Sequence, residues 1–94
     1  SENTAWKSQT ENMAWNRPAS ARYRVQTGAF RREENAWSLY QKLLRQRFPA
    51  EIGKNEDLFL VWVGNYERLD NAVKMEQVLK SLGYATYISR TDES

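Results

Sequence analysis

The chain has 94 residues, a net charge of +2 and 28% charged residues, which gives room for one small domain that buries about 60% of its unfolded surface. It contains no His and no Cys, which excludes disulfides, the usual nucleophile–base pairs and the common zinc ligand sets. Basic and acidic residues alternate, which argues against a dedicated nucleic-acid binder. No apolar run or leader suggests a membrane span, so we expect a soluble domain of a larger protein.

The first 22 residues are polar apart from a few large apolar groups, and the composition predicts a linker or N-terminal extension. A short helix over 11–16, with Thr10 as N-cap and an end before Pro18, is the alternative. The domain is expected to cover 23–90, followed by a tail over 91–94.

An internal repeat organises the domain. Tyr23 to Phe30 returns, altered but in register, as Phe59 to Tyr66, a step of 36 residues. Continued without a gap, the step pairs Asn35-Ala36 with Asn71-Ala72. It also pairs Arg47 with Gly83, so that Arg47 should adopt the left-handed conformation that ends a helix.

Alternation of apolar and polar residues predicts strand one from Tyr23, with Val25 and Thr27 facing the core and Gly28 on the other side. An apolar stripe predicts helix one over 32–46. Strand two is expected over 48–52, with a polar turn over 53–57. Strand three (58–63), helix two (68–82, with Leu82 on its apolar stripe) and strand four (85–89) follow.

This order of elements predicts an α+β fold of the βαββαβ, ferredoxin-like type, with a four-stranded antiparallel sheet and both helices on one face. Strands one and three should be central neighbours, which brings Gln26 next to Trp62 on the uncovered face. Around them we expect a binding surface that mixes apolar and hydrogen-bonding side chains: Arg24, Leu58, Leu60, Glu51 and Tyr87.

Alternatives remain for this surface. The N-terminal segment or a second copy could cover its apolar side chains. Arg24 could be a strand charge paired with Glu51 or Asp57, Gln26 could simply be tolerated at an exposed position, and Tyr87 could serve cross-strand packing alone.

The paired motifs Tyr-Arg-Val-Gln-x-Gly-Ala-Phe and Phe-Leu-Val-x-Val-Gly-x-Tyr, with an aromatic-Pro-Ala start to strand two, resemble the SPOR domain (sporulation-related repeat). The resemblance covers 23 to about 89. It implies a bacterial or bacteriophage module of the cell envelope that binds peptidoglycan glycan strands freed of stem peptides, as arise at division septa and in sporulation. Such domains are attached to division proteins or wall hydrolases.

The resemblance also implies that the glycan lies across the open sheet, with Gln26 in contact and Ala29 as a small neighbouring loop position. Strand three departs from the family pattern because Leu60 and Trp62 stand where polar residues are usual. In strand one, Thr27 stands in place of Val.

We therefore expect a non-catalytic, monomeric glycan-binding module without metal or cofactor, nucleic-acid ligand or membrane insertion. Trp62 and Tyr87 would stack on sugar rings, while Gln26, Arg24 and Glu51 form hydrogen bonds. The rival interpretations are a protein-interaction domain of the envelope and an RNA-binding domain of the same topology, although the RNA-binding signature is missing from strand three.

Overall fold

A computed structural model of the chain describes residues 21–91. The helix considered at 11–16, the linker up to residue 20 and the tail from residue 92 lie outside this range. The elements follow in the order β1 (Arg22–Phe30), α1 (Glu33–Arg45), β2 (Ala50–Asn55), β3 (Leu58–Tyr66), α2 (Leu69–Ser81) and β4 (Tyr87–Thr91).

The four strands form one antiparallel sheet in the order β2-β3-β1-β4, with β1 and β3 at its centre. Both helices pack on one face of this sheet, which confirms the predicted ferredoxin-like α+β fold. The core between helices and sheet consists of fully buried aliphatic side chains from β1, β3 and the two helices: Val25, Ala36, Leu43, Val61, Val63, Ala72 and Leu79. Among residues 21–91, no helix lies on the opposite face of the sheet.

The two helices end in the same way, at positions that the repeat relates. Arg47 has φ +72° and Gly83 has φ +94°, as predicted for the residue that ends each helix. The N–H of Phe48 donates to the carbonyl of Leu43, and the N–H of Tyr84 donates to that of Leu79. These bonds satisfy carbonyls that the helix leaves open. Leu82, expected on the apolar stripe of α2, is instead its exposed C-cap residue.

A bulge in β1 changes the face on which its last residues lie. Gln26 pairs with Trp62 and Gly28 pairs with Val61, so one extra residue, Thr27, is inserted in β1. Thr27 is buried and its hydroxyl donates to the carbonyl of Val61. A Cβ at Gly28 would meet Leu39 of α1. The prediction that Gly28 lies on the open face is therefore wrong, because the bulge turns it toward the helices.

A second bulge lies in β3, where the Gly64-Asn65 step faces Arg24 of β1. Gly64 has φ +80°, and its N–H donates to the carbonyl of Pro49. The glycine of each repeat copy thus lies at a bulge, which is where a residue without a Cβ is most useful.

The predicted bounds of three strands, β2, β3 and β4, are wrong. Strand β3 runs over Leu58–Tyr66 rather than 58–63. Strand β2 runs over Ala50–Asn55 rather than 48–52, because the hairpin turn contains only Glu56 and Asp57, with Glu56 at φ +55°. Strand β4 runs over Tyr87–Thr91 rather than 85–89. Its last residue, Thr91, pairs with Arg22, so each belongs to the sheet rather than to tail or linker. Ala29 lies in β1 and not in a loop.

Candidate functional site

One row of side chains crosses the open face, with one residue from each strand. Trp62 of β3 pairs with Gln26 of β1 on one side and with Glu51 of β2 on the other. Gln26 in turn pairs with Tyr87 of β4. We call these four residues, in the order Glu51, Trp62, Gln26 and Tyr87, the transverse row. The predicted adjacency of Gln26 and Trp62 is confirmed.

The four residues of the transverse row line up because each one is the direct cross-strand partner of its neighbour in the row. Cross-strand partners in an antiparallel sheet point to the same face, and the core faces of the strands are fixed by Val25 and Val63. Gln26 and Trp62 come directly after and before these two residues. They must therefore point away from the helices.

Arg24 lies beside the row and connects two of its members. Its guanidinium carbon is 3.9 Å from the centre of the Trp62 ring, and its Nη1 is 3.6 Å from Oε1 of Glu51. The side chain of Arg24 is only 22% exposed. The ion pair with Glu51, which the sequence offered as an alternative role for Arg24, is therefore present, and it coexists with a cation–π contact. Ser89 of β4 is the cross-strand partner of Arg24.

The Trp62 ring extends over β2 at the position of Gly53. A Cβ added at Gly53 would come within 2.8 Å of the Trp62 ring, so the absence of a side chain there makes room for the indole. Sequence reasoning missed this role, because Gly53 was expected in a polar turn. The one available signal was that Gly53 stands two residues after Glu51, on the same face of an extended strand.

The apolar side chains of the face differ in exposure. Leu60 was expected to be exposed, but it is 8% exposed. Leu60 pairs with Gly53 on one side and with Ala29 on the other. The Trp62 ring extends over Gly53 beside it, so Leu60 is largely shielded from solvent. Leu58 is 37% exposed and Tyr87 is 66% exposed. The open face thus contains one nearly buried leucine, Leu60, and one exposed aromatic side chain, Tyr87, at the β4 edge.

The structure brings Arg24, Gln26, Glu51, Trp62 and Tyr87 together. Ala29 and Leu60 are cross-strand partners, and on the open face they lie next to the transverse row. Leu58, which pairs with Asn55 beside the hairpin turn, lies farthest from the row. The predicted residues therefore lie on one face but do not all belong to one cluster.

The perturbed titrating groups lie away from this face. Arg68 and Asp70, at the start of α2, form two hydrogen bonds, and the contact with Arg68 lowers the pKa of Asp70. They line a shallow depression with Tyr23, Leu69, Val73 and Lys74. Burial raises the pKa of Tyr66 in β3. These shifts follow from a surface ion pair and from packing, and neither involves a residue of the transverse row.

Residues 21–91 contain no group of three or more acidic side chains placed to hold a metal ion. Over the same residues, no helix has the length and apolar character needed to cross a membrane.

Comparison with known proteins identifies the family. The family model described as the SPOR domain matches residues 19–90. Among solved structures, the chain is similar to the solution structure of the peptidoglycan binding domain of the B. subtilis cell wall lytic enzyme CwlC. The TM-score is 0.71 at 27% identity, over 78% of this chain and 92% of the other. No curated protein sequence matches the chain.

The family match covers all six elements of the fold apart from the last residue of β4. It also contains the whole transverse row and Arg24. Together with the topology and the structural similarity, it leads to one conclusion: the chain belongs to the SPOR domain family.

Proposed function

We propose that the chain is a non-catalytic module that binds peptidoglycan and holds its glycan strands on the open face of the sheet. The observation that carries the proposal is the transverse row, in which aromatic and hydrogen-bonding side chains stand side by side across all four strands. The similar CwlC domain, described as peptidoglycan binding, supports the choice of ligand.

Stacking provides most of the proposed affinity. The faces of pyranose rings carry C–H groups that pack on aromatic side chains, and Trp62 and Tyr87 are the aromatic members of the row. By analogy with bases stacked on aromatic side chains, each such contact is worth about 1–3 kcal/mol. Leu58, Leu60 and Ala29 supply apolar surface beside these rings.

Hydrogen bonds orient the sugars. The Gln26 amide can both donate and accept, the Arg24 guanidinium donates, and the Glu51 carboxylate accepts. Sugar hydroxyls and N-acetyl groups offer partners for all three. A neutral hydrogen bond contributes a net free energy of about 0.5–1.5 kcal/mol, half of what one stacked ring contributes. Individually weak contacts of this kind suit a polymeric ligand, which offers the same groups repeatedly.

The finer proposal is that the ligand is a glycan strand freed of its stem peptides. Stem peptides add bulk along the strand, whereas a row of side chains lying across a shallow sheet favours a ligand that can approach closely. The module would then direct a division protein or a wall hydrolase to places in the cell envelope where amidases have acted, such as the septum.

Binding to purified sacculi, before and after amidase treatment, tests the proposal. We expect the chain to sediment with amidase-treated sacculi, and the Trp62→Ala and Gln26→Ala variants to sediment less. Trp37→Ala is the matched control, because Trp37 is 47% exposed but lies on α1, on the other side of the sheet. Absence of binding to treated sacculi would contradict the glycan ligand. Undiminished binding by both open-face variants would contradict the site, and would favour a face that docks a protein partner.

A further inference from the structure

The depression at the start of α2 carries an inference about the residues that precede β1. It measures about 760 Å³, and its apolar surface comes from Tyr23, Leu69 and Val73. The charged rim includes Glu67 and Lys74. Leu69 is 49% exposed although it is a large apolar residue, and Tyr23 packs against the core beneath the helices. The depression therefore lies on the helix side of the sheet, and an exposed apolar patch with a polar rim is typical of a contact site.

The internal repeat explains why this depression is large. The step of 36 residues pairs Val73 with Trp37. It also pairs Leu69 with Glu33. The related depression of the first copy, which Trp37 and Phe59 line, measures only about 190 Å³. In the second copy the smaller Val73 stands in place of the indole, and Leu69 presents apolar surface in place of a carboxylate. The second copy thus has room for an indole that its own helix does not supply.

The chain contains a tryptophan close to this depression in sequence. Strand β1 begins at Arg22, whose Nη2 is 3.6 Å from Oε2 of Glu67 on the rim. The residues before β1 therefore join the domain beside the depression. Trp15 stands seven residues before Arg22, and seven residues span at most about 23–25 Å. Pro18, a residue typical of turns, lies between them. The length of chain is sufficient for Trp15 to reach the depression.

We infer that Trp15 packs in this depression against Leu69 and Val73, and that it ties the segment before β1 to α2. The family match begins at residue 19, so this contact involves a residue outside the matched domain. Because the depression is on the helix side, a segment bound there leaves the transverse row accessible. The inference goes beyond the proposed function and does not depend on the ligand.

A single indole is sufficient for such a contact because the segment is attached to the domain. An aromatic side chain of this kind buries about 150–250 Å². A short flexible connection places it at an effective concentration in the millimolar range. A contact too weak to form between separate molecules can therefore form within one chain.

Thermal unfolding of Trp15→Ala, Leu69→Ala and the double variant tests the contact in the full chain. We expect each single change to lower Tm by about 4–8 °C. The double variant should lose little more than the larger single loss, because both changes remove the same contact. Alanine favours a helix at least as well as leucine does, so a loss in Leu69→Ala reports a lost contact rather than a weaker helix.

Two further variants are the matched controls. Trp6→Ala removes another tryptophan from the same polar stretch and should leave Tm unchanged. Val78 is 48% exposed on the same helix but does not line the depression. The effect of Val78→Ala should therefore add to that of Trp15→Ala.

NMR identifies what the Trp15 ring touches. We expect NOEs between this ring and the methyl groups of Leu69 and Val73 in the labelled full chain. Trp15→Ala should sediment with amidase-treated sacculi as the parent chain does, since the open face is not involved.

The other outcomes overturn the inference. Additive losses in Trp15→Ala and Leu69→Ala, or the absence of these NOEs, would show that Trp15 does not occupy the depression. NOEs from Trp15 to Tyr87, or stronger sedimentation of Trp15→Ala, would mean that the segment covers the open face instead. NOEs that appear only between differently labelled chains would identify a second copy as the occupant.

Discussion

The guanidinium carbon of Arg24 lies 3.9 Å from the centre of the Trp62 ring, while Nη1 of the same group is 3.6 Å from Glu51. One cation thus covers part of the aromatic side chain at the centre of the open face and links it to β2. The three side chains come from three adjacent strands, so their contacts fix the indole in the unliganded protein. Fixing an aromatic side chain in advance lowers the entropy that binding costs.

The Arg24–Trp62 contact should be measurable as a coupling free energy. A double-mutant cycle with Arg24→Ala and Trp62→Ala, followed by urea unfolding, should give about 0.5–1 kcal/mol, the usual value for a cation–π contact near the surface. The Arg24–Glu51 pair should couple by 1 kcal/mol or less, since surface ion pairs contribute about 0–1 kcal/mol. Additive effects of Arg24→Ala and Trp62→Ala would mean that the contact does not hold the ring.

Gly53→Ala should weaken glycan binding with little change in stability. The added Cβ would come within 2.8 Å of the Trp62 ring and displace it. Alanine loses less conformational entropy on folding than glycine does, which stabilises the strand by about 0.5–1 kcal/mol and offsets the cost of displacing the ring. We expect a loss of at least 5-fold in affinity for amidase-treated sacculi, from one stacking contact worth about 1–3 kcal/mol.

Gly28→Ala is the matched control for that change. Its Cβ would come within 2.6 Å of Phe30 and 2.9 Å of Leu39 on the helix side of the sheet. Crowding a packed core costs about 1–3 kcal/mol, so this variant should be less stable yet retain its glycan affinity. If Gly28→Ala impaired binding more than Gly53→Ala, the open face would not be the site.

The fold could be predicted from the sequence because two independent patterns agree. The repeat fixes the order of elements, and the alternation around Val25 and Val63 fixes which side chains face the core. The same reasoning placed Gln26 beside Trp62. It also placed Arg47 at the left-handed helix end.

The structure differs from the prediction where local backbone geometry interrupts the regular alternation of a strand. The extra residue Thr27 places Gly28 on the helix side of the sheet instead of the open face. The spacing of apolar residues in the sequence does not indicate this bulge. The hairpin turn at Glu56-Asp57 lacks the usual Asn-Gly signature, so β2 was predicted too short and Gly53 was assigned to a turn. The low exposure of Leu60 goes with the Trp62 ring, which extends over the neighbouring Gly53 of another strand, and no single-strand pattern shows this.

Arg47→Gly should be neutral or stabilising by up to about 1 kcal/mol. At φ +72° a residue with a Cβ is disfavoured by about 1–2 kcal/mol, and the added flexibility of glycine in the unfolded chain offsets part of that gain. Thermal unfolding of Arg47→Gly and Arg47→Ala separates the two effects, because only glycine relieves the backbone.

At Gly83, which the repeat pairs with Arg47, a substitution should change stability in the opposite direction. Gly83→Ala should lower stability by about 1 kcal/mol, although a Cβ there would meet no atom within 4 Å, since the conformation at φ +94° alone is unfavourable. A clear loss of stability in Arg47→Gly would contradict the assigned end of α1.

Stability should fall at alkaline pH through Tyr66. Burial raises its pKa above the ordinary value, so the folded state retains the phenolic proton over a range where the unfolded chain loses it. The contribution of the neutral phenol is complete below the unfolded pKa of about 10 and is lost as the pH rises through the folded pKa. Tyr66→Phe should flatten this decline in urea unfolding between neutral and alkaline pH. An unchanged slope would indicate another group.

We propose that the glycan binds on the open face of the sheet. An NMR titration of the isotopically labelled chain with a soluble tetrasaccharide of alternating N-acetylglucosamine and N-acetylmuramic acid tests it most directly. We predict the largest shift changes at the amides of Gln26, Trp62 and Tyr87 and at the Trp62 indole N–H, with little change in α1 and α2. Changes concentrated instead at the start of α2, around Leu69, Asp70 and Val73, would contradict it.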